Sequence, residues 1–281
     1  MAFRKELVTR VSLVAVGAAG LWVAQSQQQR VPLAMEKISP NLWVISNNGG
    51  NVAVMPTPEG VVVVDDKFAA DAPDIVAKVK TVSDKPIKYV LNTHQHGDHT
   101  GGNEAMLAGG AEIIIHKQAR ANMVTGKMPG VPRLAFSDEQ QVVVGGHEVI
   151  AKYVGRGHTN GDAVILFPGE RVLHTGDLFV ATGPPFCDMA NGGSMKDWEG
   201  TIQKALQLDF DTVIPGHGPV LKKSDLVKWA QTLGTLRTRI KTACTGGADT
   251  AGDRLDWSGL GMTSNPNFVR GLPGMCKELA Q

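Results

Sequence analysis

The sequence predicts an α/β fold made of two similar halves, their sheets packed face to face under helices. Three observations predict it. Short β-rich runs alternate with segments of helical spacing, and the series occurs twice along the 281-residue chain. No linker-like stretch separates the two passes. Hydrophobic residues make up 42% and charged residues 20%, which suits a packed globular core and excludes disorder. One domain is therefore expected over residues 27–281, behind an N-terminal segment of different character.

That segment, residues 1–26, reads as a signal peptide. Arg4, Lys5 and Arg10 supply a positive start, residues 11–23 form an apolar run too short for a membrane span, and Ala24-Gln25-Ser26 offers small residues where a signal peptidase reads. A periplasmic or secreted location is expected, with no stable membrane contact after cleavage. No Cys follows the apolar run, so lipid attachment is not expected. Export also permits a disulfide between Cys244 and Cys276, with Cys187 left over. Three cysteines are too few for a disulfide scaffold or a four-cysteine zinc module. A net charge of +1 gives no reason to expect nucleic acid as a partner. Nothing in the composition sets an oligomeric state.

The elements follow in order. Residues 42–46, 52–55 and 61–65 are β-rich runs separated by Asn-Gly and Pro-Glu-Gly turn signals, which predicts an antiparallel series. Residues 72–82 carry Ile75, Val76, Val79 and Val82 on one helical stripe, and 87–91 is a short buried strand. A strand at 111–115, a helix near 117–125 and strands near 141–144, 147–154, 163–167 and 171–175 come next. Residues 194–208 form a helix with Ser194 as its N-cap and Asp197 in its first turn. A strand at 212–214 and a helix at 224–243, starting on Ser224 or Asp225, complete the second half. The Gly- and Pro-rich tail after Gly246 is expected to hold one or two short helical pieces.

Chemistry concentrates after the strand at 87–91, in Asn92-Thr93-His94-Gln95-His96-Gly97-Asp98-His99-Thr100-Gly101-Gly102. Three histidines and one aspartate share six positions of a loop at a strand end. Neutral imidazoles and a carboxylate are zinc ligands, and one zinc needs only about four of them. Further fragments each set a His or Asp beside Gly at a strand end: Gly157-His158, His174-Thr175-Gly176-Asp177 and Pro215-Gly216-His217-Gly218.

With these residues in hand, the chain resembles the metallo-β-lactamase-fold superfamily of zinc hydrolases over roughly residues 38–225. His94, His96, Asp98 and His99 match its HxHxDH signature, and His158, Asp177 and His217 match its later ligands in order. The resemblance implies an αββα sandwich holding two Zn(2+) ions per chain. His94, His96 and His158 would hold the first. Asp98, His99 and His217 would hold the second, and Asp177 would bridge them, as in members similar to glyoxalase II and the lactonases. It also implies hydrolysis of an amide, ester or thioester bond of a small molecule by a metal-bound hydroxide, with Asp98 as the catalytic carboxylate. A β-lactam is the first substrate to consider, because it is met outside the cytoplasm. Two features depart from the lactamases: a bridging Asp177, and Leu178, Phe179 and Val180 after it in place of a substrate-gripping Lys. Lactonase or thioesterase activity, and a one-iron enzyme similar to the persulfide dioxygenases, are the alternatives.

The remaining expectations concern the surroundings. Asp65, closing a four-valine strand, is a candidate to hydrogen-bond the metal loop. Asn191, Gly192, Gly193 and Ser194 precede a helix whose free N–H groups could receive an anionic substrate group, though a plain turn and N-cap reads equally well. Phe179, Pro184, Pro185, Phe186 and Cys187 are candidates for the pocket wall, Phe186 among the substrate contacts. His116, His147 and His174 read as structural or surface residues, and Trp198 and Trp229 as helix-face packing.

Overall fold

The computed structural model describes residues 31–281; the expected signal peptide lies outside the described residues. The first half opens with β1 (Ala34–Ser39), β2 (Leu42–Ser46), β3 (Val52–Thr57) and β4 (Gly60–Val64), each antiparallel to the last. Helix α1 (Ala72–Lys80) crosses to β5 (Ile87–Asn92), which lies parallel to β4. Helices α2 (Gly97–Thr100) and α3 (Asn103–Ala108) lead to β6 (Glu112–His116), and α4 (Lys117–Thr125) leads to β7 (Leu134–Phe136). The seven strands lie in chain order in one sheet.

The second half contains β8 (Glu139–Val144), β9 (His147–Tyr153), β10 (Ala163–Phe167), β11 (Val172–His174), α5 (Met195–Ala205), β12 (Thr212–Ile214), β13 (Leu221–Lys222) and α6 (Lys223–Cys244). Its six strands also lie in sequence order across the sheet. The chain ends with α7 (Ala251–Arg254) and α8 (Pro266–Leu279).

Strand β4 explains the layering. Successive side chains of a strand point to opposite faces, so a strand buried on both faces reads as an unbroken apolar run. Val62 and Val64 enter the core between the sheets, beside Leu91, Ile165 and Phe167. Val61 and Val63 enter the outer core with Ile75 and Val79 of α1. Each fully buried Val is worth roughly 1.5–3 kcal/mol, so a charge at any of the four positions would undo the sheet locally. On the far side, Trp198 of α5 and Trp229 of α6 pack with Val164, Leu173 and Val213. The result is the α/β, αββα sandwich expected.

Several expected boundaries move. Helix α1 stops at Lys80, with Val82 packing after it, and α6 begins at Lys223, where Asp225 Oδ2 accepts the Lys222 N–H at 3.2 Å. Strands β1, β7 and β13 and helix α3 join the expected set. The tail is more regular than expected. Helix α8 runs for 14 residues because Asn265 Oδ1 caps it on the Phe268 N–H at 2.8 Å and Pro266 sits where its missing N–H costs nothing. Cys244 and Cys276 are disulfide-bonded, tying α8 to α6.

Candidate metal centre

All seven expected ligands lie at or beyond strand ends on one rim of the sandwich. The loop after β5 carries His94, His96, Asp98 and His99, and the β9–β10 connection carries His158. Asp177 follows β11, and His217 follows β12. The structure brings them together in three overlapping groups, each with ligand atoms within 4.8 Å of one another: His94, His96 and His158; His94, His99 and Asp177; Asp98, His99 and His217. Close approach demands glycine here. A Cβ on Gly216 would lie 1.9 Å from Asp177 Oδ1.

Hydrogen bonds on the outer side fix the ring orientations. Asp188 Oδ2 accepts from His96 Nε2 at 2.8 Å, which turns His96 Nδ1 inward. The Phe186 carbonyl accepts from His158 Nδ1 at 2.6 Å, which turns His158 Nε2 inward as well. His96 Nδ1 and His158 Nε2 face each other at 2.8 Å. Thr93 Oγ1 gives its proton to Asp65 Oδ2 and so accepts from His94 Nδ1 at 3.1 Å, and the inward His94 Nε2 is buried with no partner. His99 Nδ1 donates to Asp65 Oδ2 at 2.7 Å, and its Nε2 lies 3.1 Å from Asp177 Oδ1 and 3.4 Å from His217 Nε2. Imidazole nitrogens and carboxylate oxygens converge within 4.8 Å of one another, and the inward His94 Nε2 has no partner, so the donor set fits a metal.

Electrostatics divide the cluster. Burial, reinforced by neighbouring imidazoles, holds His94 well below its usual range and His158 at about 4, so both rings are neutral. At the other end burial opposes protonation, but Asp177 leads the carboxylates that lift His99 well above its usual range and His217 to about 9. Burial likewise works against ionised Asp98, yet His99 and His217 outweigh it and hold the acid at about 2. Protons held by such pairs are those a divalent cation displaces. The His/Asp cluster implies metal use.

The surroundings are partly as expected. Asp65 does support the metal loop: Oδ1 accepts the Thr93 N–H at 2.8 Å and Oδ2 takes His99. His116 is structural, with Nε2 donating to the Ser137 carbonyl and its ring stacked 4.1 Å from Tyr153. His174 Nε2 donates to the Asn51 carbonyl.

The expectation for Asn191, Gly192, Gly193 and Ser194 as substrate contacts is corrected: none lines the cavity over the cluster. Ser194 Oγ caps α5 on the Asp197 N–H and donates to Glu278 Oε1, so the helix start is already occupied. Gly193 is pressed against the His158 carbonyl. Asn191 instead steadies Asp188 through Nδ2 at 2.6 Å. Of the expected wall, Pro184 and Phe186 line the cavity, while Pro185 does not. Phe179 and Cys187 are buried in the outer core.

Sequence reasoning missed Asp188, Thr93 and Asn51. Asn51 Nδ2 holds the carbonyls of Pro215 and Gly218, which frame His217, across sequence separations of 164 and 167. Thr93 alone had a local signal, its position between Asp65's partner strand and His94. The cavity measures about 460 Å³, and Phe68, Asn267 and Arg270 also line it.

A family model described as Metallo-beta-lactamase superfamily matches residues 46–217, a span that holds all seven clustered residues. The 2,4-dinitroanisole O-demethylase subunit alpha of Nocardioides sp. is 26% identical over 192 residues. That alignment covers 66% of this chain and 57% of the relative, so the chain spans little more than half its length. The metallo-beta-lactamase type 2 of Elizabethkingia meningoseptica is 26% identical over 223 residues, 73% of this chain and 86% of that protein. Among solved structures, a metallo-beta-lactamase from Pontibacter korlensis superposes with a TM-score of 0.66 at 24% identity, covering 72% of this chain and 99% of that one. The DIM-1 metallo-beta-lactamase gives 0.65 at 20% identity, covering 74% and 99%. Both share the fold.

Proposed function

The chain belongs to the metallo-beta-lactamase superfamily, and on that premise we propose that it is an exported hydrolase using two zinc ions to cleave an amide- or ester-type bond of a small molecule, a β-lactam first among them. One observation carries the reading: His96 Nδ1 and His158 Nε2 face each other at 2.8 Å beside the partnerless His94 Nε2, three imidazole nitrogens converging as they do around a cation. His94, His96 and His158 would hold one ion, Asp98, His99 and His217 the other, with Asp177 between. When bound, such ions polarise a carbonyl and lower the pKa of water to about 7.

The protein's own groups supply the rest. Asp98 is a quarter exposed, faces the cavity and is placed to accept and orient the nucleophile's proton. Phe68, Val180, Pro184 and Phe186 give the cavity apolar walls against which the apolar part of a small molecule can pack. Asp188, Thr93 and Asp65 keep the imidazoles from turning.

The β-lactam reading is supported by the relative named metallo-beta-lactamase type 2. Export is supported by the residue 1–26 pattern and by the Cys244–Cys276 disulfide, since such bonds persist in oxidising compartments. The test is a panel on zinc-loaded protein, with and without chelator: a chromogenic cephalosporin, lactones, thioesters, a phosphodiester and 2,4-dinitroanisole, the last because of the relative named for its O-demethylation. Chelator-sensitive turnover of the cephalosporin is expected. Turnover of a lactone or thioester alone moves the substrate class. Turnover that requires iron and dioxygen overturns the hydrolase. Mass spectrometry of protein from its native host should find the chain starting near Gln27, and an intact Met1 would contradict cleavage.

A further inference from the structure

The cavity over the His/Asp cluster carries one guanidinium. Arg270 comes from α8, which lies beyond the span matched by the family model. Its Cζ sits 4.5 Å over the ring of Phe186, a cation–π contact. Phe186 in turn stacks on His96 at 6.0 Å between ring centroids, and its carbonyl holds His158. Among the described residues no carboxylate forms an ion pair with Arg270, and it alone of the arginines lines this cavity.

The placement of Arg270 is built in. Gly271 lets α8 sit against the 186–189 segment so closely that a Cβ there would lie 2.8 Å from the Cys187 carbonyl. Gly274 does the same against Met189. Phe268 is fully buried, the disulfide pins Cys276 to α6, and Glu278 accepts from Ser194 Oγ and the Lys196 N–H. The helix is thus anchored along its length while its unpaired cation stands at the rim of the cavity.

We propose that Arg270 is the specificity-determining residue of this site and that it selects substrates carrying a carboxylate next to the scissile bond. A planar guanidinium recognises a carboxylate through two parallel hydrogen bonds, and a stacked ring beneath it holds the fork in place. Asn267 lines the same rim and offers a further polar contact. The acidic group at Arg270 would orient the molecule so that its reactive carbonyl lies over the cluster, between the apolar walls. This inference rests on the metal-site reading above.

The test uses thiols, whose sulfur binds zinc and whose other end reaches for Arg270. A series of ω-mercaptocarboxylates of increasing chain length, each against its primary amide, is titrated calorimetrically into the zinc-loaded full chain. At the best length the acid should bind roughly tenfold more tightly than the amide. In Arg270→Met the two should bind alike, and Arg270→Lys should keep part of the preference, with unchanged thermal melts showing that the exposed position leaves folding intact. Equal binding of acid and amide in the wild type overturns the proposal, as does a preference that survives in Arg270→Met. Failure of every thiol to bind sinks the metal-site reading itself, and this inference with it.

Discussion

His99 Nδ1 donates to Asp65 Oδ2 at 2.7 Å, and both side chains are completely buried. The same carboxylate accepts the Thr93 N–H and hydroxyl, so one residue at the end of β4 grips both sides of the loop that follows β5. Parallel pairing of β4 with β5 is what puts Asp65 there. Asp65 has a φ of +60°, a left-handed conformation that Asn tolerates at least as well as Asp. Asp65→Asn should therefore keep the backbone and lose the charge. Zinc affinity should fall roughly 10- to 100-fold at the site containing His99, measured by competition with a chelator. An unchanged affinity would remove Asp65 from the support of the centre.

The wild-type chain should hold close to two zinc ions, since seven converging ligands are too many for one tetrahedral ion. Asp177 stands between the two sets, with Oδ1 3.1 Å from His99 Nε2 and 3.3 Å from His217 Nε2, and Oδ2 3.6 Å from His158 Nε2. Asp177→Ala should weaken one zinc by at least tenfold and abolish activity at limiting metal, with partial recovery in excess zinc. A metal titration run beside a thermal melt is the check. Wild-type affinity for both ions would deny Asp177 the bridging role.

Acid should destabilise the fold through His116. Burial, partly offset by the hydrogen bond to the Ser137 carbonyl, depresses this imidazole from 6.5 to about 4. The folded state thus favours the neutral ring. Its contribution is fully present above pH 6.5 and is lost as the pH falls from 6.5 towards 4. Near pH 5 the loss should be about 1 kcal/mol after allowance for solvent screening. His116→Gln should flatten this part of the pH–stability curve in urea unfolding. Parallel curves for the two proteins would assign the acid sensitivity to other groups.

Breaking the Cys244–Cys276 bond should loosen the C-terminal helices. The bond closes a loop with a sequence separation of 32, worth roughly 3–4 kcal/mol by chain entropy. The double variant Cys244→Ala, Cys276→Ala should lower the denaturant midpoint and become indifferent to reductant, whereas the wild type should weaken when reduced. A wild-type midpoint that ignores reductant would mean that the bond does not form in solution.

The clustered His and Asp residues were legible along the chain because each is local to a strand end. A buried strand announces itself by an apolar run, as in the four valines before Asp65, and a Gly-flanked His or Asp just beyond it belongs to the rim of the sheet. The two-layer architecture was legible for the same reason, since alternation and helical spacing are short-range signals. Strands β1, β7 and β13 escaped because β7 and β13 are only three and two residues long and β1 has no buried residue, so none carries an apolar run to read. Only the tertiary structure decided that Ser194 serves Glu278, 84 positions away, and caps a helix in place of facing a ligand. Only it brought Asp188 to His96 across 92 positions and set Arg270 over Phe186. Those contacts carry no local pattern. They depend on how α8 and the 186–189 segment pack, through a disulfide and two glycines whose meaning appears only when the surfaces meet.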